Sequence, residues 1–188
     1  LIRSHGVGPD VYDEAEKRRL HIVDATCPHV KKAQQDARKV INAKKVLVII
    51  GEKDHPEVIS ISQWGGNRAI IIDKVEEAEE IPYCETMGVV VQTTFSQSRF
   101  KQIESVLAGK TGHLDVYMTI CAATRQRQEA AVELAGKVDA MIVIGGRNSA
   151  NTGRLAQVCA EQGCPTYHVE TAAEINPDDL AGMHDIGV

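Results

Sequence analysis

The stretch VLVIIGEKDHPEV, residues 46–58, decides the fold class of this chain. A short and nearly continuous run of β-branched residues is followed by a polar loop and by the start of a helical pattern, which is typical of a parallel strand covered on both faces. The same layout returns in GVVVQTTFSQSRF at residues 88–100 and in AMIVIGGRNSANTGRL at residues 140–155. Strands that alternate with helices predict right-handed crossovers and an α/β fold of repeated small parallel-sheet domains.

Apolar runs and helical patterns give the expected order of elements along the chain. Strands are predicted at residues 44–50, 68–73, 88–92, 115–120, 139–146 and 165–169. Helices are predicted at residues 10–20, 30–42, 75–80, 96–108, 125–136, 152–162 and 171–180. We place a domain boundary near Tyr117, with residues 28–117 as one α/β domain, residues 118–188 as another that is incomplete at its C-terminus, and residues 1–27 as the tail of a preceding one.

Composition and charge exclude several classes of protein. The chain has 188 residues and a formal net charge of −5, and its scattered Lys and Arg residues argue against a nucleic-acid surface. Its apolar runs are too short to span a membrane, so no membrane partner is expected. An anionic small molecule needs only local donors and remains compatible with this charge. Because the chain starts at Leu1, it is expected to be a fragment in which targeting signals are not visible.

Polar side chains follow the predicted strands where ligands collect in open parallel sheets, outside the carboxyl ends of the strands. His55 and Glu57 flank a proline directly after the first of these strands, and could equally be a helix cap and a solvated first-turn acid. Thr93 and Thr94 offer two hydroxyls at a helix entrance, where a simple N-cap is the alternative. His5 lies in a loop beside two glycines that leave its backbone free to approach a ligand.

The loop at residues 145–154, GGRNSANTGR, is predicted to cradle a phosphate-type anion with backbone N–H groups and short polar side chains, although a structural turn is the alternative. It is neither a Walker A nor a Rossmann sequence.

Five cysteines without CxxC spacing argue against a disulfide framework or a zinc ribbon, and they favour a reducing compartment. Cys27 and Cys121 each precede a predicted helix at the end of a strand-like run, where thiolates are favoured, but spacing alone leaves them as small buried hydrophobic residues. Cys159 lies inside a helix pattern, and Cys84 and Cys164 are placed in connecting loops; these three are interpreted as structural.

Six segments, taken together and in order, resemble the LytB/IspH family of 4-hydroxy-3-methylbut-2-enyl diphosphate reductases, which close the non-mevalonate isoprenoid pathway. They are RSHGVGP, DATCPHV, DHPEV, VVQTTFS, ICAATRQRQ and NSANTGRL. The resemblance implies a trefoil of three similar α/β domains around a [4Fe-4S] cluster that is held by three cysteines. It also implies an external electron donor such as ferredoxin or flavodoxin, and a location in the bacterial cytoplasm or a plastid.

The same resemblance implies a role for each matching residue. Cys27 and Cys121 would be two of the cluster ligands, Glu57 the acid of the proton relay, and Thr93 the group that holds the substrate hydroxyl. The diphosphate would be bound by His5, His55, Ser149 and Asn151, and weaker candidates for the cavity wall are Thr94 and Thr124.

The chain also departs from the family pattern. The family's first cysteine, a further substrate histidine and a C-terminal serine segment are absent, and Ala150 stands where some members have a second serine. Two alternatives therefore stay open. One is a noncatalytic α/β fragment that at most binds an anion. The other is a phosphate-binding module or phosphotransferase without a cluster. It would need a metal-binding carboxylate site, of which the sequence shows no convincing example; Asp24 is the nearest candidate.

Overall fold

Two α/β units make up the computed structural model, which describes residues 1–188. The first unit is Leu1–Ile120 and the second is Cys121–Val188. The sequence placed the division near Tyr117, and residues 1–27 lie here in the first unit. Their assignment to a preceding domain stays a prediction.

The first unit is a parallel sheet with helices on both faces. Its helices are α1 (Pro9–Lys17), α2 (Pro28–Asn42), α3 (Pro56–Trp64), α4 (Val75–Glu79) and α5 (Gln97–Ala108), and its strands are β1 (Val46–Ile50), β2 (Ile70–Ile72), β3 (Cys84–Val91) and β4 (Thr111–Tyr117). The strand order is β2-β1-β3-β4, and every pair is parallel. Ile50 is paired with Val91, so the polar loops that follow β1 and β3 start side by side.

Packing on both faces of the sheet explains why the sequence of β1 is a continuous apolar run. Val48 and Ile50 belong to one buried cluster, with Phe95 and Phe100. Leu47 and Ile49 belong to another on the opposite face of the sheet, because successive side chains of a strand alternate in direction. The predicted class of fold, an α/β architecture of parallel sheets, is confirmed.

The second unit has a smaller parallel sheet. Its helices are α6 (Ala122–Ala135) and α7 (Ala150–Ala160), and its strands are β5 (Ala140–Ile144), β6 (Thr166–Val169) and β7 (Ile186–Gly187) in the order β6-β5-β7. Two short 3₁₀ turns, Ala172–Glu174 and Pro177–Leu180, follow β6. Met141, Val143, Cys159 and Cys164 form its buried core.

Several sequence predictions of local structure are wrong. The helix expected at residues 171–180 is replaced by the two 3₁₀ turns, because Pro177 has no N–H to donate and holds Asn176 in an extended conformation. The strand-like HIVDA run forms only an isolated bridge, between Ile2 and Asp24. Cys84, which was placed in a loop, begins β3, and the two-residue β7 was not predicted.

None of the helices combines the length and the apolar character that crossing a bilayer requires.

Candidate functional site

His55 caps helix α3 and keeps a donor for a ligand at the same time. Its Nδ1 accepts a hydrogen bond from the backbone N–H of Glu57 at 3.2 Å, and Pro56 occupies the first helical position. Because Nδ1 uses its lone pair in this bond, the neutral ring carries its proton on Nε2. The helix-cap alternative is therefore correct for His55 without excluding its predicted role in binding.

Glu57 is a buried carboxyl group, not the solvated first-turn acid of the alternative interpretation. Only 2% of the residue is exposed, and 7% of Thr93. The backbone N–H of Thr93 donates to Oε1 of Glu57 at 2.7 Å, and the Thr93 hydroxyl donates to Oε2 at 2.8 Å. Burial raises the pKa of Glu57, while the two hydrogen bonds from Thr93 act in the opposite direction.

His5 lies against His55. The two ring centroids are 5.1 Å apart and the rings meet edge to face at 78°. Burial lowers the pKa of His5, and the positive charge of Arg3 makes a smaller contribution in the same direction. Burial also lowers the pKa of His55, and the nearby His5 makes the next largest contribution. A pair of neutral imidazoles in contact would gain charge if an anion settled beside it, because an anion favours the protonated form of each ring.

Thr94 belongs to a second hydrogen-bonded group, which is centred on Gln92. The Gln92 amide donates to Oγ1 of Thr94 at 3.1 Å, and its carbonyl oxygen accepts from the backbone N–H of Glu52 at 2.9 Å. Gln92 is buried and ties the loop after β3 to the loop after β1. Gln92 was not predicted as a site residue, although a glutamine directly after the apolar run VVV was a visible signal.

Cys27 is the residue that precedes α2, and its thiol is free and half-buried. Its backbone N–H donates to the carbonyl oxygen of Ser4 at 2.9 Å, which places it next to the loop that carries His5. A partly exposed sulfur at a helix entrance is accessible to a soft metal ion, so the residue fits a thiolate ligand.

A cavity of about 560 Å³ opens at the carboxyl ends of β1 and β2 and includes His55 among its lining residues. Its other charged lining groups are mostly acidic: Glu52, Asp54, Asp73 and Glu77, with Lys53. Four carboxylates disfavour the binding of a diphosphate inside this cavity.

The second unit holds the remaining predicted residues. Cys121 precedes α6 as a free, half-buried thiol, and Thr124 is buried in the first turn of that helix. Ser149 caps α7, and its oxygen accepts from the backbone N–H of Thr152 at 3.3 Å and from the Thr152 hydroxyl at 3.1 Å. The hydroxyl proton of Ser149 can therefore be donated to a ligand. Asn151 is half-buried in the same first turn.

Part of the glycine-rich loop is already occupied by contacts within the second unit. The backbone N–H of Arg147 donates to Glu170 at 2.7 Å, that of Ser149 donates to the carbonyl oxygen of Gly146 at 2.9 Å, and the guanidinium of Arg147 pairs with Glu174. These two amides are therefore not available to cradle a phosphate, and the side chains of Ser149 and Asn151 carry the prediction.

Asp24 does not form a metal-binding carboxylate. Its oxygens accept hydrogen bonds from the backbone and side chain of Thr26 and from Tyr12, and one oxygen lies 2.8 Å from Nζ of Lys31. The contact with Lys31 is the main reason why the pKa of Asp24 lies well below its usual range, and the hydrogen bonds from Thr26 contribute less. More generally, no group of three or more His, Cys, Asp or Glu side chains in residues 1–188 is arranged to hold a metal ion.

Comparison with known proteins decides the family. The family model described as LytB protein matches residues 1–188. The chain belongs to the LytB family. It is 46% identical over 188 residues to a 4-hydroxy-3-methylbut-2-enyl diphosphate reductase of Pelobacter propionicus, covering 100% of this chain and 67% of that relative. The corresponding reductase of Geotalea uraniireducens is 45% identical over the same length and with the same coverage.

Solved structures of LytB-type reductases agree with this assignment. The E-1-hydroxy-2-methyl-but-2-enyl-4-diphosphate reductase from Plasmodium falciparum matches 98% of this chain and 59% of its own, with a TM-score of 0.93 and 26% identity. A second structure, described as (E)-4-hydroxy-3-methyl-but-2-enyl diphosphate reductase, the terminal enzyme of the non-mevalonate pathway, matches 99% of this chain and 67% of its own, with a TM-score of 0.61 and 37% identity. The chain spans about two thirds of the length of the curated relatives.

Proposed function

We propose that this protein reduces 4-hydroxy-3-methylbut-2-enyl diphosphate to isopentenyl and dimethylallyl diphosphate by reductive dehydroxylation. Membership of the LytB family and similarity to reductases of this diphosphate support the reaction class. The observation that carries the proposal is the buried carboxyl of Glu57, bonded twice to Thr93 beside the contacting rings of His5 and His55. A proton donor and an anion-binding pair on adjacent loops suit a substrate with a hydroxyl at one end and a diphosphate at the other.

Glu57 supplies a proton to the departing hydroxyl. A carboxyl group whose pKa is raised by burial keeps its proton to a higher pH than an exposed glutamate does, which a general acid requires. The Thr93 oxygen still has a lone pair, with which it accepts the hydrogen of the substrate hydroxyl while the residue stays bonded to Glu57. Thr93 would thereby hold the leaving oxygen close to the acid. Thr94, on the same loop, would form part of the cavity wall.

The histidine pair binds the diphosphate. Nε2–H of His55 is not used in capping α3, and a protonated His5 beside it would add a second charge-assisted donor. The helix N-terminus adds a favourable dipole. In the second unit, the Ser149 hydroxyl and the Asn151 amide are proposed as diphosphate ligands, and Thr124 is proposed as a wall residue.

Cys27 and Cys121 are proposed as thiolate ligands of a [4Fe-4S] cluster. Both are free, half-buried and positioned at helix entrances, which fits iron–sulfur ligation. When bound, the cluster would relay two electrons, one at a time, from an external donor and would offer a Lewis acid for the departing oxygen. The balanced reaction consumes two electrons and two protons, breaks the allylic C–O bond and releases water. We propose an external one-electron donor of the ferredoxin or flavodoxin type, and we propose that the two units are the second and third of three similar α/β domains.

The experiment is anaerobic reconstitution of the chain with iron and sulfide, followed by assay with the diphosphate substrate and a chemical reductant. Broad visible absorption is expected in the wild type and should be lost in Cys27→Ser and in Cys121→Ser. Cys84→Ser is the matched control, because Cys84 is also free and half-buried but lies in β3. Glu57→Gln should keep the colour and lose turnover.

Two outcomes would contradict the proposal. Colour that survives substitution of both Cys27 and Cys121 would exclude them as ligands. A chain that binds inorganic diphosphate but never acquires colour or turnover would favour the noncatalytic, anion-binding alternative.

A further inference from the structure

Two buried polar side chains lie between the loop that carries His5 and the helix that carries Glu57. They are Gln34 of α2 and Ser60 of α3, of which 4% and 1% are exposed. Burying an amide and a hydroxyl is unfavourable unless both find hydrogen-bond partners, so their contacts identify what they hold in place. Neither residue stood out in the sequence.

Ser60 connects the two halves of the site directly. Its Oγ lies 2.9 Å from the carbonyl oxygen of His5 and 2.9 Å from the carbonyl oxygen of Glu57. The second contact is one that a serine inside a helix commonly makes with the preceding turn. The contact with His5 is different in kind, because it joins residues 55 positions apart in the sequence.

Gln34 holds the Ser60 hydroxyl and packs against the same loop. Its Nε2 donates to Oγ of Ser60 at 3.2 Å, which leaves the single serine proton for the carbonyl oxygens. A Cβ added at Gly6 would lie 2.4 Å from this Nε2, so the amide touches the backbone of the residue next to His5. Gln34 therefore limits how the His5 loop can move toward α2.

The loop has other attachments that would survive the loss of Ser60. The indole N–H of Trp64 donates to the carbonyl oxygen of Val7 at 2.9 Å, and Ser4 accepts from the backbone N–H of Cys27 at 2.9 Å. These bonds hold the loop on either side of His5 but none of them reaches His5 itself. Removing the Ser60 hydroxyl should therefore displace His5 without detaching the loop.

We propose that Ser60 and Gln34 are positioning residues that fix the His5 imidazole relative to the end of α3 where His55 and Glu57 lie. The role in catalysis rests on the proposed function, since it concerns the distance between the groups that bind the diphosphate and the group that delivers the proton. An imidazole held in place binds an anion better than one that must be ordered first.

The test compares Ser60→Ala and Gln34→Met with Ser62→Ala, a control that makes the same change at a half-buried serine of the same helix. The contact between the His5 and His55 rings is followed by nuclear Overhauser effects in the full chain, and affinity for inorganic diphosphate by calorimetry. Ser60→Ala should lose the ring contact and bind inorganic diphosphate about 10-fold more weakly. Gln34→Met should act in the same direction, and the double variant should be no worse than Ser60→Ala alone, since both act through one link. Ser62→Ala should match the wild type.

In the reconstituted enzyme, the proposal predicts a raised KM together with a lowered kcat, while the visible absorption stays unchanged. A merely structural role would lower the melting temperature without separating the two rings.

Failure of this inference is distinguishable from failure of the proposed function. Unchanged ring contacts in folded Ser60→Ala and Gln34→Met would overturn the positioning role, whatever the protein catalyses. If the wild type does not bind inorganic diphosphate, the proposed anion site is wrong, and the ring contact still decides whether Ser60 positions His5.

Discussion

Replacing Thr93 with valine tests whether the Thr93 hydroxyl lowers the pKa of the buried Glu57 carboxyl group. Valine keeps the shape of threonine and the backbone N–H bond to Oε1, and it removes only the hydroxyl that donates to Oε2 at 2.8 Å. Only 2% of Glu57 is exposed, so water cannot readily replace the lost hydroxyl as a hydrogen-bond donor.

The magnitude follows from the charge of the acceptor. A hydrogen bond to a charged group contributes about 1.5–3 kcal/mol, and Thr93→Val should lower the free energy of unfolding by about that amount when Glu57 is ionised. Because the hydroxyl opposes the effect of burial, its removal raises the pKa of Glu57 further. An acid whose folded-state pKa is raised favours the folded state below its unfolded pKa, and this contribution disappears as pH rises through the folded pKa. The cost of Thr93→Val should therefore be small at low pH and grow with pH.

The assay is urea unfolding of both proteins at a series of pH values, with the Glu57 carboxyl followed by carbon-13 NMR to locate its titration. Thr94→Val is the matched control, because it makes the same change at the next residue of the loop, where the hydroxyl oxygen accepts a hydrogen bond from Gln92. Its cost should not change across the Glu57 titration. An equal cost of Thr93→Val at every pH, or an unmoved Glu57 titration, would refute the reasoning.

Three further predictions follow from single contacts. Gly6→Ala should lower the free energy of unfolding by at least about 1–2 kcal/mol, measured by thermal or urea unfolding. The reason is that Gly6 has a φ of +71° and that an added Cβ would collide with Gln34. A variant as stable as the wild type would show that the loop relaxes freely. Asp24→Asn should lower the free energy of unfolding most at neutral pH and little in acid. The pKa of Asp24 is lowered in the folded state, so its carboxylate contributes stability above the unfolded-state pKa, and this stability is lost as pH falls through the folded-state pKa. A cost that does not depend on pH in urea unfolding would contradict this. Ser149→Asp should keep the N-cap of α7, so the unfolding midpoint of the protein should not change. The added negative charge should weaken the binding of inorganic diphosphate. Unchanged affinity would exclude Ser149 from the anion site.

The architecture was predictable because one property of β1 determines it. Both faces of the strand are buried, so Leu47 and Ile49 are as apolar as Val48 and Ile50, and such a run indicates a parallel sheet covered by helices. The parallel pairing of β1 with β3 then brings the loops after them together. That is why Glu57 and Thr93, 36 positions apart, were placed at one site from sequence and are hydrogen-bonded in the structure.

What the sequence could not give is the direction in which a polar side chain points. Ser60 occupies a helical position whose neighbours are unremarkable, and only the packing of the His5 loop on α3 gives its hydroxyl a second acceptor. The same holds for His55, where the orientation of the ring decides that Nδ1 caps the helix. The predicted helix at residues 171–180 was wrong because helix-forming residues flank a proline whose local effect is stronger than their average propensity.

The start of α3 serves two groups with opposite electrostatic needs. A helix N-terminus favours negative charge, which suits an anion at His55 but would also favour the ionised form of Glu57 two residues later. Burial opposes this: it raises the pKa of Glu57 and outweighs both hydrogen bonds from Thr93. An anion held at His55 would add to burial, since a neighbouring negative charge disfavours a second one. Binding of the proposed diphosphate would thus help to keep Glu57 protonated, which gives a physical reason for the proposed anion-binding histidine and the proposed acid to share one helix end.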